Sequence, residues 1–339
     1  MKQKALYIPT SAHTDRVFRP QTFARMRELF DVTVNDTGES PTTEEVTERI
    51  GGHDALVTGW GSPSLNAEFF EQAEGLRIIA HSAGSVRFMI DRELIDKYLI
   101  PGDICVFSAN VAIAYNVAES TVGMLIMAPR RWIEFATHFR QTGEWKPRHI
   151  ESEGQFLLGA VVGLVGASAV GREVIKLLQP FDVTILLYDP CVSEDQAAEL
   201  GVEKVELNEL FRRSDMVSLH APKIPETANM IDAEQLKLLR DGAALINTAR
   251  GSIIDHDALL AECQSGRIVA ALDVTEPEPP PPDSPFRKLE NVIITPHIAA
   301  RGHYGLFRIG ESTVKALEDR FAGRPVEGAV DFDVFEQLA

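Results

Sequence analysis

A glycine-rich turn that follows an apolar run constrains the fold of this chain more than any other feature. Residues 161–165 are apolar, the turn runs from Gly166 to Gly171, and an amphipathic stretch at 172–179 follows. Glycines there allow a tight turn, close approach of backbone N–H groups to a phosphate, and close packing of helix on strand. The segment predicts a strand, a turn and a helix whose N-terminus faces a dinucleotide pyrophosphate.

The predicted contacts of this turn to the cofactor are Gly166, Ser168, Ala169, Val170 and Gly171. Ser168 stands where such a turn usually has its second glycine, so the pattern by itself is weak. Asp189 strengthens it, because it ends the next apolar run about 20 residues further on. A carboxylate there accepts the ribose hydroxyls of NAD and repels the extra phosphate of NADP. The alternative is that Asp189 only caps a strand end.

Short apolar runs alternate with helical patterns along the rest of the chain. The predicted strands are at residues 4–8, 31–35, 55–58, 76–81, 104–107, 161–165, 183–188, 216–219, 244–247, 269–272 and 292–295. A long helix at 118–139, kinked at Pro129, separates the two series, and a final helix covers 304–321. Strands alternating with helices predict an α/β fold with parallel sheets in two Rossmann or flavodoxin-like domains, the second with six strands.

The charge balance argues against nucleic acid and membrane surfaces as partners. The chain has 33 basic and 50 acidic residues and a formal net charge of −17, which repels phosphate backbones and anionic lipid. Residues 154–171 are uncharged and nearly as long as a membrane span, but their glycines favour a strand and a turn. Three scattered cysteines fit neither a disulfide framework nor a metal site, and they indicate the cytoplasm.

Three reactive side chains follow the last three predicted strands. Arg250, Glu278 and His297 come after the runs that end at residues 247, 272 and 295. The carboxyl ends of neighbouring parallel strands meet at one edge of a sheet, where α/β proteins bind ligands. Each residue alone is more often a salt bridge or a cap than a catalyst. Beside a cofactor fold, the three together predict a catalytic group.

In these features the sequence resembles the D-isomer-specific 2-hydroxyacid dehydrogenases. The matching segments are Gly163 to Gly171, His220-Ala-Pro222, Asn247-Thr-Ala-Arg250-Gly251, Leu272-Asp273-Val274 with Glu278-Pro279, and Thr295-Pro296-His297. The resemblance implies an oxidoreductase that moves a hydride between NAD and C2 of a small 2-hydroxy or 2-keto acid. It also implies a homodimer, and an NAD-binding domain at 118–298 inserted into a discontinuous substrate domain at 1–117 and 299–339.

The resemblance also implies a role for each residue of the catalytic group. His297 is the general acid/base, Glu278 binds its other ring nitrogen and stabilises the imidazolium, and Arg250 binds the substrate carboxylate. Further contacts to the cofactor are expected from His220, Pro222, Thr248 and Asp273, the last of them at the nicotinamide. His220 is the rival acid/base, although its surroundings favour a place beside the cofactor.

The loop at 81–88 is expected to hold the substrate carboxylate through Gly84 and Ser85. It carries Phe88, for which a core position is favoured, and the polar residues His81, Ser82 and Ser85. These polar groups predict a short keto acid with a second oxygen, such as hydroxypyruvate or glyoxylate. The alternative function is an NAD-sensing regulatory protein that resembles the C-terminal-binding-protein co-repressors and has no physiological turnover.

Overall fold

The computed structural model describes residues 2–145, 147 and 154–337. Within them the chain forms two compact units. The first contains the described residues up to Ile113 and from Arg301 onward, and the second those from Ala114 to Ala300. The assignment of substrate and NAD roles to two domains with limits at 117 and 298 stays a prediction.

Strands and helices alternate along the described residues. The strands are β1 Lys4–Tyr7, β2 Asp31–Val34, β3 Ala55–Thr58, β4 Ile78–His81, β5 Cys105–Ser108, β6 Val161–Val165, β7 Thr184–Tyr188, β8 Glu203–Lys204, β9 Met216–Leu219, β10 Ala244–Asn247, β11 Val269–Leu272 and β12 Val292–Ile294. The helices are α1 Ser11–Val17, α2 Pro20–Leu29, α3 Thr43–Ile50, α4 Ala67–Gln72, α5 Arg92–Leu94, α6 Asn110–Met127, α7 Trp132–Thr142, α8 Ala169–Leu178, α9 Glu194–Glu199, α10 Leu207–Arg213, α11 Ala233–Leu238, α12 His256–Gln264 and α13 His303–Phe321. A π-helix lies at Ile95–Leu99, and short 3-10 helices lie at Pro225–Thr227, Gly251–Ile253, Pro285–Lys288 and Phe332–Gln337.

The first unit is built on a five-stranded parallel sheet with the strand order β2-β1-β3-β4-β5. This is the order of flavodoxin-like folds. Every residue of β3 and β4 is buried, because apolar clusters cover both faces of the sheet. The segment that carries Gly84 and Ser85 follows β4 at the carboxyl edge of this sheet.

The second unit is built on a seven-stranded parallel sheet with the order β8-β7-β6-β9-β10-β11-β12. Counted from its own first strand the order is 3-2-1-4-5-6-7, which is the dinucleotide-binding order with one strand added. The predicted fold class is confirmed. The predicted number of six strands is wrong, because β8 has only two residues, too few to give a periodic pattern in the sequence.

The helix predicted at 118–139 is two helices, α6 and α7. Pro129 and Arg131 lie in the break between them, and Arg131 has a left-handed φ of 55°. Proline removes a backbone donor and clashes with the preceding turn, so the helix ends here. Among the described helices no single one has the length and apolarity of a membrane span, and α6 and α7 meet that test only as a pair bent by 63°.

Side chains of β6 alternate between the two cores of the second unit. Val162 and Leu164 pack in one apolar cluster and Val165 in the other. A Cβ on Gly163 would lie 2.4 Å from atoms of Leu210 and Ser214, so this glycine lets α10 approach the sheet closely. The uncharged segment at 154–171 therefore contains a core strand and the start of α8.

The strands that precede the predicted catalytic residues are neighbours in this sheet. β10 pairs with β11, and β11 pairs with β12, all in parallel. β6 pairs with β9, which is the point where the strand order reverses. The glycine-rich turn and the three predicted catalytic residues therefore follow strands along one carboxyl edge.

Candidate active site

The turn after β6 brings backbone into direct contact with backbone. Gly166 has a φ of 100°, and a Cβ there would lie 2.8 Å from backbone atoms of His220 and Ala221. A Cβ on Gly171 would lie 2.3 Å from the carbonyl oxygen of Gly166. Both positions require glycine, and the turn stays slim enough for a phosphate to approach its backbone.

Ser168 fits the second position of this turn although it is not glycine. Its φ of −58° and ψ of 178° are open to any L-residue, and it is the N-cap of α8, which begins with Ala169 and Val170. Its Oγ accepts a long hydrogen bond of 3.4 Å from the Gly171 N–H. The positive end of the α8 dipole therefore lies at the turn, as pyrophosphate binding requires.

Asp189 lies at the carboxyl end of β7. Its Oδ2 accepts the Ala167 N–H of the glycine-rich turn at 2.7 Å, and its Oδ1 accepts the Cys191 N–H at 2.8 Å. Each carboxylate oxygen has a second lone pair that a ribose hydroxyl could use. The cap on the strand end and the contact to the ribose are therefore compatible interpretations of Asp189, since the carboxylate that caps the strand also contacts the glycine-rich turn.

His220 follows β9, and its backbone packs against the glycine-rich turn. The residue is 3% exposed, and neither ring nitrogen has a hydrogen-bond partner among the described residues. Burial lowers the pKa of His220 to about 3, so the ring is neutral at pH 7. A neutral, enclosed imidazole is a poor proton donor to a substrate, which argues against His220 as the acid/base. Its unpaired N–H is instead suited to a bound cofactor.

Pro222 and Thr248 are the other predicted cofactor residues at strand ends. The Pro222 carbonyl accepts the Thr227 hydroxyl at 2.6 Å, which stabilises the loop after β9. Thr248 follows β10, and a hydrogen bond of 2.8 Å joins its hydroxyl to that of Thr121 on α6. A dinucleotide fits three features of this edge, namely the glycine-rich turn, the N-terminus of α8 and the unpaired ring N–H of His220.

His297 and Glu278 form a hydrogen-bonded pair. His297 Nδ1 lies 2.6 Å from Glu278 Oε1, and the two side chains are 51% and 41% exposed. A carboxylate can only accept, so Nδ1 carries a hydrogen and Nε2 is left for a substrate. His297 has a left-handed φ of 51°, a conformation that is costly outside glycine and persists where surrounding contacts hold it.

Asp273 holds the segment that carries His297. Its buried carboxylate accepts the Thr295 hydroxyl at 2.5 Å and the N–H groups of Ile298 and Ala299 at 2.9 and 2.8 Å. Its backbone carbonyl accepts the His297 N–H at 2.9 Å. Asp273 thus holds the backbone on both sides of His297. Its expected contact to the nicotinamide stays a prediction.

Helix α6 holds the residues that follow His297. Ser120 Oγ donates to the Ala299 carbonyl at 2.7 Å, and Asn116 Nδ2 donates to the Ala300 carbonyl at 3.3 Å. Neither residue is predicted from the sequence, because neither lies in a segment with a recognisable motif. The available signal was their spacing, since polar residues four positions apart lie on one face of a helix.

Arg250 lies where the segment after β10 contacts the loop that carries Glu278. Asn247 Nδ2 donates to the Arg250 carbonyl at 2.9 Å, which fixes the turn after the strand. A Cβ on Gly251 would lie 2.1 Å from the Thr275 carbonyl carbon and 2.6 Å from the Glu276 nitrogen. The absence of a side chain at Gly251 therefore allows the two segments to touch.

The charges of the predicted catalytic group are linked through Glu278. Burial lowers the pKa of the Arg250 guanidinium, and the negative charge of Glu278 opposes that shift. Arginine remains protonated in proteins, so Arg250 is a fixed positive charge. One of its N–H groups donates to the Ala249 carbonyl at 2.7 Å. The structure therefore brings the predicted acid/base pair and the predicted carboxylate-binding cation to one sheet edge.

The predicted substrate residues lie in the first unit. The Gly84 carbonyl accepts the Ser108 hydroxyl at 2.6 Å, and Ser85 Oγ accepts the Arg87 N–H at 3.4 Å. Both residues are partly exposed. Phe88 is 51% exposed, so the core position expected for it is wrong. Val86 takes the inward position two residues earlier in this short turn.

Two of the polar groups expected near the substrate are already paired inside the first unit. His81 is buried, and its Nδ1 lies 2.8 Å from the Thr58 hydroxyl. Burial lowers the pKa of His81 to about 3. Ser82 donates to the Thr58 carbonyl at 2.6 Å and also contacts His13 Nε2 at 2.9 Å. Of His81, Ser82 and Ser85, only Ser85 is exposed enough to contact a ligand.

The predicted catalytic residues include two titratable side chains and a cation that suits an anionic ligand. Among the described residues no cluster of three or more His, Cys, Asp or Glu side chains could hold a metal ion. Residues 122–299 match the family model described as D-isomer specific 2-hydroxyacid dehydrogenase, NAD binding domain. The chain belongs to this dehydrogenase family. It is an NAD-dependent enzyme that transfers a hydride between NAD and a 2-hydroxy or 2-keto acid, which confirms the prediction.

Relatives in this family cover most of the chain. It is 35% identical over 298 residues to a glyoxylate reductase of Korarchaeum cryptofilum, with 87% of each chain covered. It is 36% identical over 285 residues to a hydroxypyruvate reductase of Thermotoga maritima, with 83% of this chain and 89% of the relative covered. A phosphoglycerate oxidoreductase from Rhizobium etli shares the fold, with a TM-score of 0.83 at 24% identity over 97% of this chain and 98% of that one.

Cofactor preference tests the position of Asp189. We expect kcat/KM to be at least about tenfold higher with NADH than with NADPH, a difference of about 1.4 kcal/mol, because the carboxylate repels a 2′-phosphate. Initial rates with each cofactor measure the ratio. Asp189→Asn keeps the size of the side chain and removes its charge, and it should narrow the ratio. Equal rates of the wild-type enzyme with both cofactors would show that Asp189 does not face the ribose.

Proposed function

We propose that His297 is the general acid/base of this dehydrogenase, with Glu278 and Arg250 completing the catalytic group. The observation that carries the proposal is the 2.6 Å hydrogen bond between His297 Nδ1 and Glu278 Oε1. It fixes the ring tautomer, leaves Nε2 for the substrate oxygen and stabilises the imidazolium.

Proton transfer in both directions follows from this pair. In reduction, His297 Nε2 donates its proton to the carbonyl oxygen of the keto acid, and in oxidation the neutral ring removes the hydroxyl proton. A nicotinamide cofactor held at the glycine-rich turn would supply or accept the hydride at C2. Arg250 offers parallel N–H donors to the substrate carboxylate. Because the net charge of the chain is −17, the anionic substrate depends on this local cation.

We assign cofactor binding to residues 118–298 and substrate binding to the remainder of the chain. The glycine-rich turn and Asp189 support the first assignment. The loop with Gly84 and Ser85, at the carboxyl edge of the other sheet, supports the second. The three cysteines are widely spaced along the sequence and favour the cytoplasm as compartment. The acidic net charge argues against nucleic acid or a membrane surface as partner.

We propose short 2-keto acids, glyoxylate and hydroxypyruvate, as the substrates. The names of the two curated relatives, a glyoxylate reductase and a hydroxypyruvate reductase, support this class. Ser85 supports hydroxypyruvate from the structure, because its partly exposed hydroxyl can pair with an oxygen on C3. His81 and Ser82 give no support, since their hydrogen bonds are made within the first unit.

Side-by-side kinetics with three keto acids test the substrate proposal. We expect kcat/KM for hydroxypyruvate to exceed that for 2-ketoisocaproate by about tenfold or more, because only hydroxypyruvate offers Ser85 an oxygen on C3. Ser85→Ala should lower kcat/KM for hydroxypyruvate and spare glyoxylate, which has no C3 hydroxyl. A higher kcat/KM for 2-ketoisocaproate would refute the proposed class and leave the roles of His297 and Glu278 untouched.

We also propose that the enzyme is a homodimer that pairs through an aromatic surface on and after α7. Six large apolar side chains are exposed there, namely Trp132, Ile133, Phe139, Trp145, Phe156 and Leu158. Part of this aromatic surface lines a groove of about 490 Å³, where the Arg130 guanidinium lies 4.1 Å from the ring centre of Phe156. Clustered aromatic side chains with an arginine are typical of protein interfaces.

Mass in solution tests the homodimer. Light scattering at micromolar concentration should give twice the chain mass of 37.4 kDa. Phe139→Glu places a charge in the aromatic surface and should lower the measured mass toward that of a single chain, because an unpaired charge is costly in an interface. Gln141→Glu adds the same charge two positions away on α7 and is the control. A wild-type mass of one chain would contradict the proposal.

A further inference from the structure

The loop that carries Glu278 has few backbone donors of its own. Prolines occupy positions 277, 279, 280, 281 and 282, and proline has no N–H. Side chains therefore hold the loop by its carbonyl groups. Thr275 Oγ1 donates to the Pro277 carbonyl at 2.9 Å, and Arg287 donates to those of Pro280 and Pro281 at 3.1 and 3.0 Å. The N–H of Glu276, at the start of the loop, is bound differently.

The acceptor for the Glu276 N–H is His256 Nε2, at 3.2 Å. His256 is the first residue of α12, and its Nδ1 lies 3.0 Å from the Ile254 carbonyl oxygen. A carbonyl oxygen can only accept, so Nδ1 carries the ring hydrogen and Nε2 keeps its lone pair. Both hydrogen bonds are made together only by this neutral tautomer.

Neighbouring residues hold the His256 ring in this orientation. The Asp255 carboxylate caps α12 by accepting the N–H groups of Asp257 and Ala258 at 3.0 and 3.1 Å. The buried ring of Phe286 contacts the imidazole edge-on, with ring centres 5.9 Å apart. Phe286 belongs to the short helix that follows the proline-rich loop. The imidazole therefore contacts the loop at its start and the chain just beyond its end.

We propose that His256 is a positioning residue of the reaction, which holds the Glu276 N–H and thereby keeps Glu278 against His297. The proposal rests on the proposed role of Glu278. Gly251 limits the movement of the loop toward Arg250 by direct backbone contact, and the His256 bond limits movement away from α12. A shift of about 1 Å in a catalytic group can cost up to about a hundredfold in rate, so one hydrogen bond two residues away matters.

A double-mutant cycle on kcat tests this coupling. His256→Phe keeps a ring beside Phe286 and removes the acceptor, and it should lower kcat about tenfold with KM for NADH unchanged. His256→Gln carries an acceptor oxygen at a similar reach and should restore kcat to within about threefold of wild type. In a Glu278→Gln background, His256→Phe should lower kcat less than about twofold, because substitutions of residues that act as a unit do not have additive effects on kcat.

The outcomes separate this proposal from the proposed function. Wild-type kcat for His256→Phe, or an equal loss in both backgrounds, would overturn the role of His256 and leave that of Glu278 standing. Wild-type kcat for Glu278→Gln alone would refute both. If His256→Phe does not fold, His256→Leu removes the same acceptor with less bulk and takes its place in the cycle, with the same expected coupling.

Discussion

The buried carboxylate of Asp273 is the contact on which the geometry of this site depends. It binds the Thr295 hydroxyl before His297 and the N–H groups of Ile298 and Ala299 after it. A buried charge is costly unless hydrogen bonds satisfy it, and three donors do so here. The same bonds hold His297 in a left-handed backbone conformation. The His297 ring thereby lies within hydrogen-bonding distance of the Glu278 carboxylate, on the loop after β11.

A second carboxylate at a strand end acts in the same way on the cofactor side. Asp189 accepts the Ala167 N–H and so fixes the glycine-rich turn, just as Asp273 fixes the segment around His297. In both places a predicted ligand contact is also a structural anchor. A substitution at either residue therefore changes the geometry of the turn together with its charge, and kinetic effects there contain both contributions.

The sequence predicts the sheets and the main site residues because both follow from local patterns. Continuous apolar runs such as 161–165 mark buried parallel strands, and residues at strand ends meet at one edge. Contacts between distant segments leave no such pattern. His256 contacts Glu276 only because β10 and β11 are neighbours in the sheet, and Ser120 contacts Ala299 only because α6 packs against the segment after His297. The exposure of Phe88 depends on which neighbouring side chain fills the core.

The pH dependence of kcat in both directions tests the pairing of His297 with Glu278 most directly. Reduction needs the protonated imidazole and oxidation the neutral one, so reduction should slow and oxidation should quicken as pH rises. Glu278→Gln removes the carboxylate that orients His297, and kcat should fall about tenfold or more across both profiles while KM for NADH stays near the wild-type value. Profiles of Glu278→Gln that coincide with those of the wild-type enzyme would contradict this account.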